Sequence, residues 1–235
     1  MLEICIASVE NLNPEDGCWQ NWVTPGRWQS SRRQKKCLAR AQSIGTELLL
    51  NEAVKRFTNE KSFPVHYGTA PGGKKFFPEI PYYFSWSHAG HAIACALADV
   101  PVGIDIQNIR RINLQAAQKF FNPQEMKFLT LGSEKEQKEK FFQYWVYKES
   151  YVKMRGLGLA ALRRKCFLQP SGTMLEMMDI GNPQPSSFQD WKDLDILPGY
   201  RMAVCVSGHQ NLQTVYHSFP EDWFEHLSFA AFCNF

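Results

Sequence analysis

Read at helical spacing, the segment Phe141 to Leu159 (FFQYWVYKESYVKMRGLGL) sets Phe142, Trp145, Val146 and Val152 on one face. That is the stripe an amphipathic helix buries. Upstream, EKEQKEK (134–140) is the solvated outer part of the same helix, and Gly156 and Gly158 fall where a helix C-cap belongs. Glu149 lies on or beside the apolar stripe, with Lys153 one turn further on. An ionised carboxylate is costly to bury without a partner, so Glu149 is either one half of an ion pair at the rim of a core or a group aimed at a ligand.

A second periodicity is that of a strand. In PVGIDIQNI (101–109), Val102, Ile104 and Ile106 point to one side and Gly103, Asp105 and Gln107 to the other. A carboxylate two residues from an amide on such a strand suits a hard cation. With Glu149 from the helix, the set leaves open positions for phosphate oxygens and water, as magnesium requires. The plainer reading makes Asp105 a turn former at a strand end.

The remaining pattern predicts a mixed chain. MLEICIASV (1–9) reads as an edge or opening strand, and Trp28 to Leu50 as one helix with Ile44, Leu48 and Leu49 inward. Residues 59–81 are loop with short extended pieces, rich in Gly and Pro. Tyr82 to Ala98 reads as two strands with Ser87–Gly90 as their turn; the run HAIACALA suggests a tightly packed central strand. Helices are predicted beyond Arg111 and from Asn122-Pro123, strands over 163–169 and 200–207, and a turn over 181–187. The aromatic tail from Val215 carries no readable function.

Composition narrows the classes. At 235 residues and 44% hydrophobic, the chain can bury a sizeable core. No run approaches the roughly 20 apolar residues of a membrane span, and the acidic start does not read as a signal peptide. Seven scattered cysteines without a C-x-x-C pair argue for buried thiols in a reducing cytoplasm rather than disulfides or zinc. The basic run Arg32, Arg33, Lys35, Lys36, Arg40 lacks the interleaved aromatics of a nucleic-acid patch, and the net charge is only +3. Ser87 and His88 do not make a hydrolase, because no G-x-S-x-G elbow exists. GGKK is not a phosphate-binding Walker loop.

Three segments in order, FSWSHAGHAIACAL (84–97), VGIDIQ and WVYKESYVKMRGLGL, resemble the signature motifs of the 4′-phosphopantetheinyl transferases, in their Sfp-like (surfactin-synthetase-activating) branch. The likeness spans about residues 25 to 170. It implies an α+β fold of two similar lobes related by a pseudo-twofold axis, 1–104 and 105–235, with the active site at the lobe interface. It further implies a monomeric cytoplasmic enzyme. The reaction implied moves the phosphopantetheine arm of coenzyme A to a serine of an apo acyl or peptidyl carrier protein. Magnesium would be held by Asp105, Glu149 and Gln107; Glu149 would act as base, and Lys153 would sit on the pyrophosphate and protonate the leaving group. Arg40, Lys74, Ser87 and His88 would hold the coenzyme's phosphates, Lys148 would make a carrier or phosphate contact, and Glu125 a structural one.

The departures from the family pattern are Gln42 for an arginine, Ser85 and Ala89 for Asn and Ser, Lys75 for a proline, and Gln107 for a carboxylate. They leave open a catalytically silent relative that binds coenzyme A or a carrier. An unrelated magnesium phosphoesterase or nucleic-acid binder is the third class.

Overall fold

Alternation in the strands and helical stripes in the long segments sort the chain into four layers. In chain order the elements are β1 (Leu2–Ser8), α1 (Pro25–Arg32), α2 (Cys37–Phe57), β2 (Gly68–Thr69), β3 (Lys75–Phe76), β4 (Tyr83–Ala89), β5 (Ala92–Ala98) and β6 (Val102–Asn108). Then follow α3 (Pro123–Leu129), α4 (Glu134–Arg155), β7 (Cys166–Ser171), β8 (Met174–Asp179), β9 (Ser186–Leu194), β10 (Leu197–Ser207), β11 (Thr214–Ser218) and α5 (Trp223–Phe232). The computed structural model describes residues 1–110, 117–163, 166–171, 174–179, 186–194, 197–208 and 212–232. The helix expected beyond Arg111 and the turn over 181–187 lie largely outside the described residues.

One sheet runs β11-β1-β5-β4 and another β6-β10-β9. Within the first, β1 pairs parallel with β11 and antiparallel with β5. Their inner faces meet: Leu2, Ile4 and Ile6 from β1, the alanines of β5, Val102, Ile104 and Ile106 from β6, and Met202, Val204 and Val206 from β10 form one buried cluster. Ala92, Ala94, Ala96 and Ala98 are small enough to let the second sheet approach. On the outer face of the first sheet, Ile93, Cys95 and Leu97 pack under Ile44, Leu48 and Leu49 of α2. On the outer face of the second, Ala203 and Cys205 pack under Val146 and Tyr151 of α4.

At Gly103 the approach of α4 to β6 is closest. A Cβ there would lie 2.0 Å from the Ser150 carbonyl oxygen and 2.4 Å from the Met154 nitrogen, both backbone atoms that cannot step aside. Gly103→Ala is therefore expected to lift α4 from β6 at a cost of about 2–3 kcal/mol, read as a lowered denaturation midpoint.

Several expectations change. The helix predicted from Trp28 to Leu50 is two, because Thr24-Pro25 starts α1 and the chain leaves helical geometry between Arg33 and Lys36. The basic run thus crosses a break rather than one helical face. Ser87 and His88 belong to β4 itself, and the turn is the positive-φ Gly90 with its neighbours. Strand β1 is interior, not an edge. Strand β11 and helix α5, read only as an aromatic tail, join the first sheet and its core through Trp223 and Phe224, so the expected division at 104/105 is crossed by the chain's end. The six described cysteines are free; Cys5, Cys95, Cys166 and Cys205 are buried, but Cys37 is exposed. Among the described residues no helix is long and apolar enough to cross a membrane.

Candidate active site

Helix α4 is built to hold its C-terminal half still. Ser133 and Glu136 close a reciprocal capping box at its start, and Gly156, at φ +69°, ends it in the left-handed conformation. The last three turns are buried nearly all round, which is why charged side chains there are forced into contacts.

Two of those side chains meet β6 and β4. The Lys153 ammonium donates to Asp105 Oδ1 at 2.6 Å, to Ser87 Oγ at 2.9 Å and to the Ile104 carbonyl at 3.0 Å. Ser87 donates in turn to Asp105 Oδ1 (2.8 Å), and the Gln107 amide donates to Asp105 Oδ2 (3.0 Å). The adjacent sheets are stitched beside them by the Ile104 N–H, which donates to Ser85 Oγ at 3.1 Å. Asp105 is buried, and Glu149 keeps only 6% of its surface exposed. Burial first, and the Asp105 charge second, push the Glu149 carboxyl up to about 7 against the opposing pull of Lys153. Two carboxylates that repel one another in a low-dielectric wall form a site that a hard cation would relieve, and the Gln107 amide adds a third oxygen. Among the described residues no group of three His, Cys, Asp or Glu side chains is placed to hold a metal, so a three-ligand set depends on that amide.

Glu149 and Lys153 line a cleft of about 310 Å³, opposite Trp86 and the Gly72–Lys75 hairpin. Arg27 overlies the Trp86 ring, its guanidinium carbon 4.7 Å from the centroid. Glu47, fully buried on α2, aims it: Glu47 accepts from Arg27 Nε (3.1 Å), from Tyr67 Oη (2.5 Å) and from the Thr24 backbone N–H. His88 remains largely exposed at its surface, yet dense surroundings push its imidazole below the usual value, and the Lys153 and Arg27 cations push it further. Lys75 in the lining and Arg27 over Trp86 make that side of the cleft positive. It is suited to a phosphorylated ligand.

A family model described as the 4′-phosphopantetheinyl transferase superfamily matches residues 101–205, the stretch holding Asp105, Gln107, Glu149 and Lys153. The 4′-phosphopantetheinyl transferase Sfp of Bacillus subtilis (strain 168) is 28% identical over 88% of this chain and 89% of its own length. The 4′-phosphopantetheinyl transferase ffp of Bacillus subtilis is 30% identical, covering 76% of this chain and 71% of its own. The chain belongs to the 4′-phosphopantetheinyl transferase superfamily.

Of the family residues expected from sequence, Ser87, Asp105, Gln107, Glu149 and Lys153 come together, with His88 beside them. Two others sit differently. Arg40 lies with Nε 3.1 Å from Glu15, without hydrogen-bond alignment, and is not part of the cleft wall. Lys74 lines the cleft, but its ammonium donates to the carbonyls of Val102 (3.2 Å) and Met154. The expectation that Lys148 meets a carrier or a phosphate is overturned, because it is 2% exposed and its ammonium donates to Glu125 Oε2 at 2.9 Å. Gln42, standing where relatives carry arginine, donates to the Gly90 carbonyl at 2.7 Å and so holds the β4–β5 turn. Sequence reading missed Arg27 and the Glu47–Tyr67 pair that aims it. The Thr24-Pro25 helix start was the available signal, since it places Arg27 in a first turn rather than a loop.

Proposed function

We propose that this chain transfers the 4′-phosphopantetheine arm of coenzyme A to a serine of an apo acyl or peptidyl carrier protein, releasing adenosine 3′,5′-bisphosphate. It would act as a single chain, with the cleft lying between two pseudo-twofold-related lobes, each a sheet backed by one long helix. The observation that carries this reading is the convergence of two buried carboxylates, Asp105 and Glu149, at a cleft whose opposite rim is cationic.

Asp105, Glu149 and the Gln107 amide oxygen suit a magnesium ion, which when bound would neutralise the diphosphate and polarise the phosphorus under attack. The protein's own groups account for the rest. Glu149, directly or through a water, takes the proton of the attacking serine hydroxyl as its oxygen bonds to the β-phosphorus. Lys153 stands at the diphosphate, balances charge on the departing bisphosphate oxygen and gives it a proton. Ser87 and Asp105 hold the Lys153 ammonium in position beforehand, through hydrogen bonds of 2.9 and 2.6 Å. Arg27 supplies positive charge for the remaining phosphate, the role that the sequence likeness had given to Arg40, and His88, kept neutral by its surroundings, offers a ring N–H.

The deciding experiment incubates the chain with coenzyme A, magnesium and a panel of apo carriers from fatty-acid, polyketide and nonribosomal peptide systems. Intact-mass measurement is expected to show one phosphopantetheine added to at least one carrier. No addition to any carrier, with coenzyme A still bound, would make the chain a silent binding relative. Gln107→Glu is expected to keep transfer and lower the magnesium concentration for half-maximal rate, since a carboxylate binds the ion more strongly than an amide. A large loss of rate in that variant would remove Gln107 from the ligand set.

A further inference from the structure

We propose that the two adjacent lysines of the β2–β3 hairpin divide their roles: Lys75 meets the 3′-phosphate end of the bound nucleotide, while Lys74 is a positioning residue that fixes the hairpin to the end of α4. The inference rests on the transferase reading above and assigns within it a cation that the family pattern, with proline at that place, does not supply.

Successive side chains of an extended segment point to opposite sides, so Lys74 and Lys75 face different surroundings. The Lys74 stem packs on Gly156, where an added Cβ would sit 3.3 Å from Lys74 Cδ. Its ammonium donates to the Met154 carbonyl at the end of α4 and to the Val102 carbonyl at the start of β6. A cation on the last carbonyls of a helix is favourably placed against the helix dipole. The hairpin tip itself touches backbone to backbone, because a Cβ on Gly72 would come within 2.3 Å of the Gly156 carbonyl oxygen. Burial, uncompensated by any carboxylate, lowers the Lys74 ammonium to about 8. Every feature of Lys74 looks inward, toward the helix that carries Glu149 and Lys153.

Lys75 looks the other way. Its ammonium donates to Thr69 Oγ1 at 2.6 Å and lies 5.8 Å from the Tyr67 ring centroid, on the Arg27 side of the cleft. Among the described residues, no carboxylate forms an ion pair with it. Glu47 is the nearest acid that acts on it, and Glu47 is already taken up by Arg27, Tyr67 and Thr24. Two cations held near one another with one saturated carboxylate leave a net positive charge that a phosphate dianion satisfies. Lys153 is held by Asp105 and the Ile104 carbonyl, whereas Lys75 is held by Thr69 beside Tyr67; with the diphosphate at Lys153, the phosphate left for Lys75 and Arg27 is the 3′-phosphate.

Calorimetry with adenosine 3′,5′-bisphosphate tests this without a carrier or turnover. Lys75→Met is expected to weaken binding about tenfold and Lys75→Arg to restore it. In transfer assays Lys75→Met should raise KM for coenzyme A with kcat kept, and the penalty should vanish with 3′-dephospho-coenzyme A. Lys74→Met should bind the bisphosphate as the wild type does but lose kcat at temperatures where it is fully folded. Lys74→Arg should fail to restore it, because the longer head does not fit over Gly156. Wild-type affinity in Lys75→Met, or a tenfold binding loss in Lys74→Met, would overturn the division. A wild type that binds the bisphosphate but transfers nothing sinks only the transferase reading; one that binds no bisphosphate sinks both.

Discussion

Asp105→Ala and Glu149→Ala are each expected to lower kcat/KM for carrier modification by about a thousandfold or more, in chains that still fold. The reason is shared and electrostatic. Phosphoryl transfer is mostly positioning and charge neutralisation; Glu149 lines the cleft, and buried Asp105 holds Lys153, which lines it too. Their effects on stability should differ, and that difference separates the site reading from a structural one. Asp105 accepts from Ser87, Lys153 and Gln107, so its loss strands three donors and should cost about 1–3 kcal/mol. Glu149 is held against burial and against the Asp105 charge. Glu149→Gln, which keeps the volume and removes the charge, should therefore melt at or above the wild-type temperature while inactive. Such a gain in stability on loss of function is the mark of a residue kept for chemistry. Full transfer in either alanine variant would remove the metal reading, and a Glu149→Gln chain that melts well below wild type would make Glu149 a structural group.

What the sequence disclosed, and what it withheld, follows from the range of the interactions. The alternation of Val102, Ile104 and Ile106 is local, and so is the helical stripe of α4; both elements were readable and both are there. The end of α4 at Gly156 was readable because positive φ favours a residue without Cβ. The pairing of β1 with β11 brings Leu2 beside Thr214, and no local pattern encodes a contact across that length of chain. The facing of Lys148 was withheld for another reason. On a helix buried on several sides, periodicity no longer says which neighbour a charged side chain will find. Arg27 was hidden because its partner Glu47 lies in a different helix and Trp86 in a strand. Asp105 and Glu149 stood out by contrast, since each breaks an apolar pattern from within, and the fold buries both.

Lys148→Met is expected to cost about 3–5 kcal/mol, the largest stability loss among the changes considered, because it leaves a buried carboxylate without its counter-charge. Glu125 is 2% exposed and serves three segments at once: it accepts the Asn122 N–H that starts α3 (2.8 Å), the Leu168 N–H of β7 (2.8 Å) and the Lys148 ammonium of α4. Lys148 also donates to the Phe120 carbonyl at 2.8 Å and lies 4.8 Å from the Phe121 ring centroid. For a chain of this length such a loss should lower the melting temperature by about 10 °C. The double change Lys148→Met with Glu125→Gln should recover a substantial part, because an amide oxygen still accepts one backbone N–H and no charge is left stranded. Urea titration of the four species gives the coupling energy directly. If Lys148→Met unfolds within about 1 kcal/mol of wild type, or if the double variant is no more stable than the single, the pair is not the joint between α3, α4 and β7. A recovered double variant that also recovers transfer would show that Lys148 acts only by setting the seat of α4, and hence where Glu149 and Lys153 point.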